Sequence, residues 1–393
     1  MASGKPVGEA LRLGQSIWCD ALGRAMLRSG ELQRLIDDEG LRGVTSNPTI
    51  FEKAIADGRD YESSLLRMMA SGVTEPRQLY EGVVVEDVRA AADLLFDVWV
   101  DSDRADGFAS IEVSPRLAND TAATIAEAHR LFEEVNRQNV MIKVPGTVAG
   151  MPAIERLIAD GVNVNVTLLF GVEAYRQCAQ AFRKGLERRA ASGDDLTGVA
   201  SVASFFLSRI DVAVDARIDQ ALRGATGAAT DRRRALERLH GRIAVANAKV
   251  AWLAFRELYA DAGWAKLRAT GARVQRLLWA STGTKNPADV RTKYIDPLIG
   301  PDTVNTMPLD TFALYATTGQ PRLTLPDEAE ESRQLLRQLA DLGVDLPAIT
   351  AGLVDDGVAR FVTSYDQLVA HLERARQRLT AAAAATEAAV LPH

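Results

Sequence analysis

Long apolar runs, cysteines and clustered histidines are all scarce in this 393-residue chain, and each scarcity removes a class of function. No apolar run approaches the roughly 20 residues that span a bilayer, and the start, MASGKPVGEALRLGQ, lacks the apolar centre of a signal peptide. No membrane association is expected, and the expected compartment is the cytoplasm. Cys19 and Cys178 form no C-x-x-C pair, so neither a disulfide framework nor a thiolate zinc site is suggested. His129, His240, His371 and His393 fall in helical or tail segments without ligand spacing, which argues against a histidine-held metal or a triad. No D-x-D pair marks a strand end for magnesium, Asp101 and Asp103 falling in a loop, so no metal is expected. Aromatics, at 6%, are scattered singly, and Trp18, Phe205 and Phe206 read as core or pocket wall. With 46 Lys plus Arg against 52 Asp plus Glu, the net charge is −6, and no basic footprint for nucleic acid is present.

What the chain does have is 47% hydrophobic and 25% charged residues, the balance of an ordinary globular enzyme, in a length that suits one large barrel or two smaller domains. Short β-branched runs recur between longer stretches of helical period. Candidate strands are Ser16–Asp20, Gly43–Asn47, Phe108–Val113, Val140–Val144, Val162–Leu168, Ala200–Phe206, Val274–Ser281 and Thr303–Pro308. Between them lie amphipathic patterns such as Asp120–Gln138 and Gly171–Ala190. Strand–helix alternation without hairpin signals implies parallel pairing, and eight units predict an α/β fold, a (β/α)8 TIM-type barrel. The alternative, a doubly wound open sheet, would show a glycine-rich turn after its first strand, where this chain reads ALGRAML.

Two connections are long. Phe51 to Gly107 must hold two or more helices, and Asp211 to Arg273 reads as a helical insertion interrupted near GATGAAT. The barrel is expected over 1–324, a helical C-terminal extension over 325–380 with a break at Val344–Pro347, and a disordered Ala-rich tail over 381–393.

Catalytic groups of such barrels gather at the C-terminal ends of the strands. Those positions are unusually polar here: Asp20, Asn47, Glu112, Lys143, Asn165, Thr167, Ser204 and Ser281. Period-two alternation puts Asn165 and Thr167 on one face, and if that face points inward both need hydrogen-bond partners. Lys143 stands among Met141, Ile142, Val144 and Pro145. A lone lysine there is more often a solvated strand end or the partner of Glu112 or Asp20. Among carboxylates and hydroxyls from other strands it becomes a candidate nucleophile, because an amine between apolar walls is more readily neutral and can attack a carbonyl to give a Schiff base. Asp20 and Glu112 are candidates for proton transfer. Arg209 and Lys285 follow the sixth and seventh runs, where phosphate sites occur.

These residues sit in six motifs: GVTSNPTIFEKAI, SIEVSPRLANDT, VMIKVPGT, GVNVNVTLLF, VASFFLSRID and WASTGTKNP. In that order they make the chain resemble a transaldolase of the longer bacterial kind from about Gln15 to Thr324. The resemblance implies an eight-stranded α/β barrel and transfer of a dihydroxyacetone unit between sugar phosphates without a cofactor. It makes Lys143 the Schiff-base lysine, Asp20 the acid/base on the first strand, Glu112 the carboxylate acting through a water, and Thr167 the holder of that water. Asn47, Asn165, Ser204, Phe206 and Ser281 match substrate-contacting positions, and Arg209 matches the main phosphate arginine. Where the family carries a second phosphate arginine, two residues past the serine matching Ser281, this chain has Gly283, with Lys285 as the candidate to stand in. The related fructose 6-phosphate aldolases have tyrosine where this chain has Phe206 and glutamine where it has Glu112. The C-terminal helices would cover the barrel or form a contact in a homodimer. The rival readings are a fructose 6-phosphate aldolase, which shares the barrel and lysine but releases free dihydroxyacetone, and a barrel without catalysis, used for protein interaction.

Overall fold

The computed structural model describes residues 4–56, 59–224 and 230–390. Eight parallel strands close into one barrel in sequence order: β1 (Gln15–Cys19), β2 (Gly43–Val44), β3 (Phe108–Glu112), β4 (Val140–Pro145), β5 (Val164–Leu169), β6 (Ser201–Phe206), β7 (Arg276–Ala280) and β8 (Thr303–Met307). The predicted (β/α)8 TIM-type barrel is therefore the observed fold. Seven strands lie within two residues of their expected bounds. The second is much shorter than expected: only Gly43 and Val44 pair, and Thr45, Ser46 and Asn47 leave the ladder to enter the helix Pro48–Ala56. Gly43 is required at its start, since a Cβ there would lie 2.6 Å from the Trp18 ring.

The long connections hold helices, as expected. Glu62–Ala70, Pro76–Leu94 and Phe96–Asp101 fill the first after Pro48–Ala56, and Ser208–Gly224, Thr230–Leu239, Ile243–Leu258 and Ala262–Ala269 fill the second. The GATGAAT interruption falls mostly at 225–229, outside the described residues. Helix starts follow local chemistry: Asp120 accepts the Ala123 amide and so caps Thr121–Val135. Among the described residues, no helix is long and apolar enough to cross a membrane.

After the helix Ala329–Asp341, one 45-residue helix runs from Leu346 to Val390. Pro347, at its second position, is tolerated there because that amide has no partner inside the helix. The helix continues through the alanines of the expected tail as far as Val390. Alanine, the best helix former, pays no side-chain entropy on joining a helix already nucleated. Residues 391–393 lie outside the described residues. The C-terminal helix crosses the open end of the barrel. Thr49 and Ser364 hydroxyls meet at 2.9 Å, the Arg116 guanidinium grips Asp366 through two 2.7 Å bonds, and Gly357 comes against Leu168 at the end of β5.

The opposite end is plugged by a polar network. Arg276 donates to Asp106 at 3.0 Å and to Ser16 at 2.6 Å, and Trp18 Nε1 donates to Asp106 at 3.1 Å. Groups at that end serve stability in barrels of this kind. Gly107, which leads into β3, has φ +79°, and a Cβ there would lie 2.3 Å from the Trp99 backbone nitrogen. Gly107→Ala is expected to cost about 2–3 kcal/mol, read as a lower denaturant midpoint. An unchanged midpoint would show that the turn yields freely.

Candidate active site

The pocket at the C-terminal end of the strands has a volume of about 280 Å³. Asp20, Asn47, Lys143, Thr167, Ser204, Phe206, Arg209, Ser281 and Lys285 all line it, so nine of the eleven residues expected from sequence come together. Glu112 and Asn165 stand one layer back, each joined to a residue of the pocket wall.

Register builds the floor. Parallel pairing sets Glu112 beside Lys143 and Lys143 beside Asn165 on β3, β4 and β5. The Lys143 ammonium, 5% exposed, donates to the Ser46 carbonyl at 2.8 Å and lies 3.4 Å from Glu112 Oε2. Ser46 can present that carbonyl because the chain has left β2 two residues earlier. Both Glu112 oxygens are buried and otherwise without a hydrogen-bond partner among the described residues. Burial raises the Glu112 pKa, the neighbouring Asp20 charge adds to the rise, and Lys143 opposes it. Asp20, directly after β1, accepts the Thr45 hydroxyl at 2.6 Å. Its pKa is also raised by burial, against the pull of Lys143, the Thr45 bond, Arg209 and Lys285. A pair of carboxylic groups biased toward their protonated forms therefore flanks one amine, the arrangement that proton shuttling at a carbonyl requires.

Asn165 does face inward and is satisfied: it accepts from Ser204 at 2.7 Å and donates to Ser110 at 3.2 Å. Thr167 also faces inward, but its buried hydroxyl has no hydrogen-bond partner among the described residues. Leu168, directly after Thr167 in β5, has φ +60°, and Ser281, in the pocket lining, has φ +54°. A non-glycine residue in that region stores local strain of the kind common at functional sites, about 1–3 kcal/mol. Ser281 shares a 2.8 Å hydrogen bond with Ser208.

The mouth is basic. Arg209, at the start of the helix Ser208–Gly224, lies 5.6 Å from the centroid of the Phe206 ring. Its Nη1 is buried and has no hydrogen-bond partner. A buried donor on a cation, left unpaired among the described residues, costs free energy unless an anion meets it. Burial lowers the Arg209 pKa, with the Arg360 charge adding to that and Asp356 and Asp20 opposing. Lys285 and Lys53 complete the rim. Gly283 also lines it, and a Cβ there would come within 3.2 Å of Pro308. A larger side chain at that position would crowd Pro308, consistent with the positive charge coming from neighbouring residues instead.

Sequence reasoning missed three contributors. Thr45 and Lys53 lie within the GVTSNPTIFEKAI motif, and helical spacing from Thr49 and Ile50 would have put Lys53 on the same face. Phe361, from the C-terminal helix, walls the pocket and had no local signal. Among the described residues, no group of three or more His, Cys, Asp or Glu side chains is gathered to hold a metal ion.

Comparison with known proteins agrees with this chemistry. The Transaldolase/Fructose-6-phosphate aldolase family model matches residues 17–372. The chain is 44% identical to "Transaldolase 2" of Nostoc sp. over 93% of its length and 96% of that protein. It is 45% identical to "Transaldolase" of Thiobacillus denitrificans over 92% and 98%, and 42% identical to "Transaldolase" of Mycobacterium tuberculosis over 93% and 96%. With a lysine–carboxylate floor under a cationic mouth, and a family match spanning nearly the whole chain, this protein belongs to the transaldolase/fructose-6-phosphate aldolase family.

Proposed function

We propose that the protein is a transaldolase that moves a dihydroxyacetone unit from a ketose phosphate to an aldose phosphate through an imine on Lys143. The observation that carries this reading is the buried Lys143 ammonium 3.4 Å from Glu112, in a pocket shared with Asp20 and the unpaired Arg209. The donor is sedoheptulose 7-phosphate or fructose 6-phosphate. Lys143 attacks the C2 ketone to give a carbinolamine; Glu112 protonates the departing hydroxyl, water leaves, and the nitrogen lone pair closes the iminium. Thr167, whose hydroxyl is free to bind water, steadies that exchange. The iminium is an electron sink, which is how this chemistry proceeds without a cofactor. Asp20 takes the proton of the C4 hydroxyl, the C3–C4 bond breaks, and its electrons move into the enamine. The aldose leaves, an acceptor aldehyde arrives, and the enamine carbon attacks it while Asp20 returns the proton. Arg209 holds the phosphate remote from the breaking bond, with Lys285 and Lys53 adding charge, so that binding energy orients the reacting carbons.

Phe206 decides between transfer and release. Its ring packs under Arg209 and 5.3 Å from Phe170, and a phenyl group cannot donate a hydrogen bond to a water near the enamine. The three-carbon fragment then waits for an aldehyde instead of being protonated and lost. Fructose 6-phosphate alone is expected to release dihydroxyacetone slowly, and adding erythrose 4-phosphate to give fast glyceraldehyde 3-phosphate formation. Phe206→Tyr should raise release relative to transfer. Wild-type release as fast as transfer would replace this reading with that of an aldolase.

A further inference from the structure

A second, smaller cavity lies behind the lysine–carboxylate pair. Its volume is about 40 Å³, room for two or three waters at 10–15 Å³ each. Glu112 lines this chamber but not the main pocket, although it lies 3.4 Å from Lys143. One carboxylate thus forms the partition between the two spaces.

The chamber is polar in the way that a dry packing defect is not. Tyr80 on the helix Pro76–Leu94, Glu127 on Thr121–Val135, Ser114 after β3 and Tyr365 on the C-terminal helix all line it. Tyr80 and Tyr365 meet edge to face with ring centroids 5.4 Å apart. Glu127 accepts the Ser114 amide at 2.5 Å, and Glu81, also on the wall, pairs with Arg130 at the surface. Polar groups therefore lead from the 3%-exposed Glu112 side chain to half-buried carboxylates at the protein's exterior. A water in such a space needs two to four polar partners, and this lining supplies them.

The reaction makes that placement consequential. Closing the iminium breaks the C2–O bond, and the oxygen leaves as one water carrying a proton from Glu112; hydrolysis of the product imine consumes one water and returns the proton. At both moments the sugar chain fills the pocket and its phosphate occupies the mouth. We propose that the chamber is the water passage for this imine chemistry, with Tyr80, Tyr365 and Glu127 as positioning residues that hold the water chain between Glu112 and solvent. The proposal rests on the Lys143 imine reading above. It also gives the C-terminal helix a part in catalysis through Tyr365, beyond the wall formed by Phe361.

Two conservative variants test it. Glu127→Gln keeps an oxygen for the Ser114 amide and removes the charge, and Tyr365→Phe keeps the ring against Tyr80 and removes the hydroxyl. Imine formation from fructose 6-phosphate is timed by rapid mixing and borohydride trapping, alongside steady-state kinetics and melting temperature. Each variant should slow trapping and kcat by about tenfold, the equivalent of one lost hydrogen bond to a charged group. KM should stay within about twofold, since ground-state binding is untouched. Wild-type trapping rates in both variants would overturn the passage, as would slow trapping matched by a proportionate rise in KM or by a collapsed melting temperature in both. Failure of the wild type to give any adduct on Lys143 is a different result: it removes the imine reading itself, and the passage with it.

Discussion

Lys143→Ala is expected to lower kcat/KM for the transfer reaction by roughly 10⁴-fold or more, the scale on which loss of a covalent nucleophile acts. The change removes the amine that, among the described residues of the pocket, lies 3.4 Å from Glu112 and can form a bond to a ketone carbon. Folding should survive, because the methyl group of alanine leaves Ser46 without one donor but strands no second cation. Loss of the cation leaves the like charges of Asp20 and Glu112 uncompensated, and both can take up protons, toward which burial already biases them. Borohydride with fructose 6-phosphate should inactivate the wild type and leave one sugar adduct on Lys143, and the variant should be inert to the same treatment. Full activity in Lys143→Ala, or an adduct confined to other lysines, would refute the assignment.

Arg209→Ala should raise KM for fructose 6-phosphate by about 100-fold, a loss of roughly 2.8 kcal/mol within the range for breaking one side of a buried charge pair. The buried Nη1 of Arg209 has no hydrogen-bond partner among the described residues, and a bound phosphate would supply one. Unphosphorylated fructose provides the contrast, since its kinetics should change little. Arg209→Lys should recover part of the loss, because a lysine keeps the charge and lacks the planar fork. Equal effects on both sugars would mean that Arg209 shapes the pocket without reading the phosphate.

The barrel was legible because each strand is a short apolar run bounded by turn residues and each crossover has helical period. The site was legible for a related reason: polar residues such as Lys143 and Asn165 interrupt runs that are otherwise buried throughout. The end of β2 was not legible, since Thr45, Ser46 and Asn47 have no composition that separates a paired strand from an unpaired one. Their departure is set by Lys143 and Asp20 reaching in from other strands. Lys53 needed a helical register that begins outside the strand motif. Phe361 and Tyr365 reach the site on a helix far along the chain, and no local period records which barrel rim a distant helix will cross. The alanine-rich end has no decisive local signal, because alanine is common both in frayed tails and in stable helices. What distinguishes them is the packed helix from which the run extends.

Barrel closure also sets an order on how the protein comes into being. The Gln15 side chain on β1 bonds to Thr303 on β8, 288 residues away, so the first strand emerges from the ribosome long before its final neighbour exists. Such distant pairing is slow, and until it forms, both edges of the unfinished parallel sheet are open to other chains. Asp20, Glu112 and Lys143 are all synthesised in the first half of the chain, yet the pocket has no Phe361 wall until the last long helix has docked. On the imine reading, a nascent chain therefore carries the Lys143 amine for most of its synthesis without that enclosure, and chemical competence arrives as nearly the last event of folding.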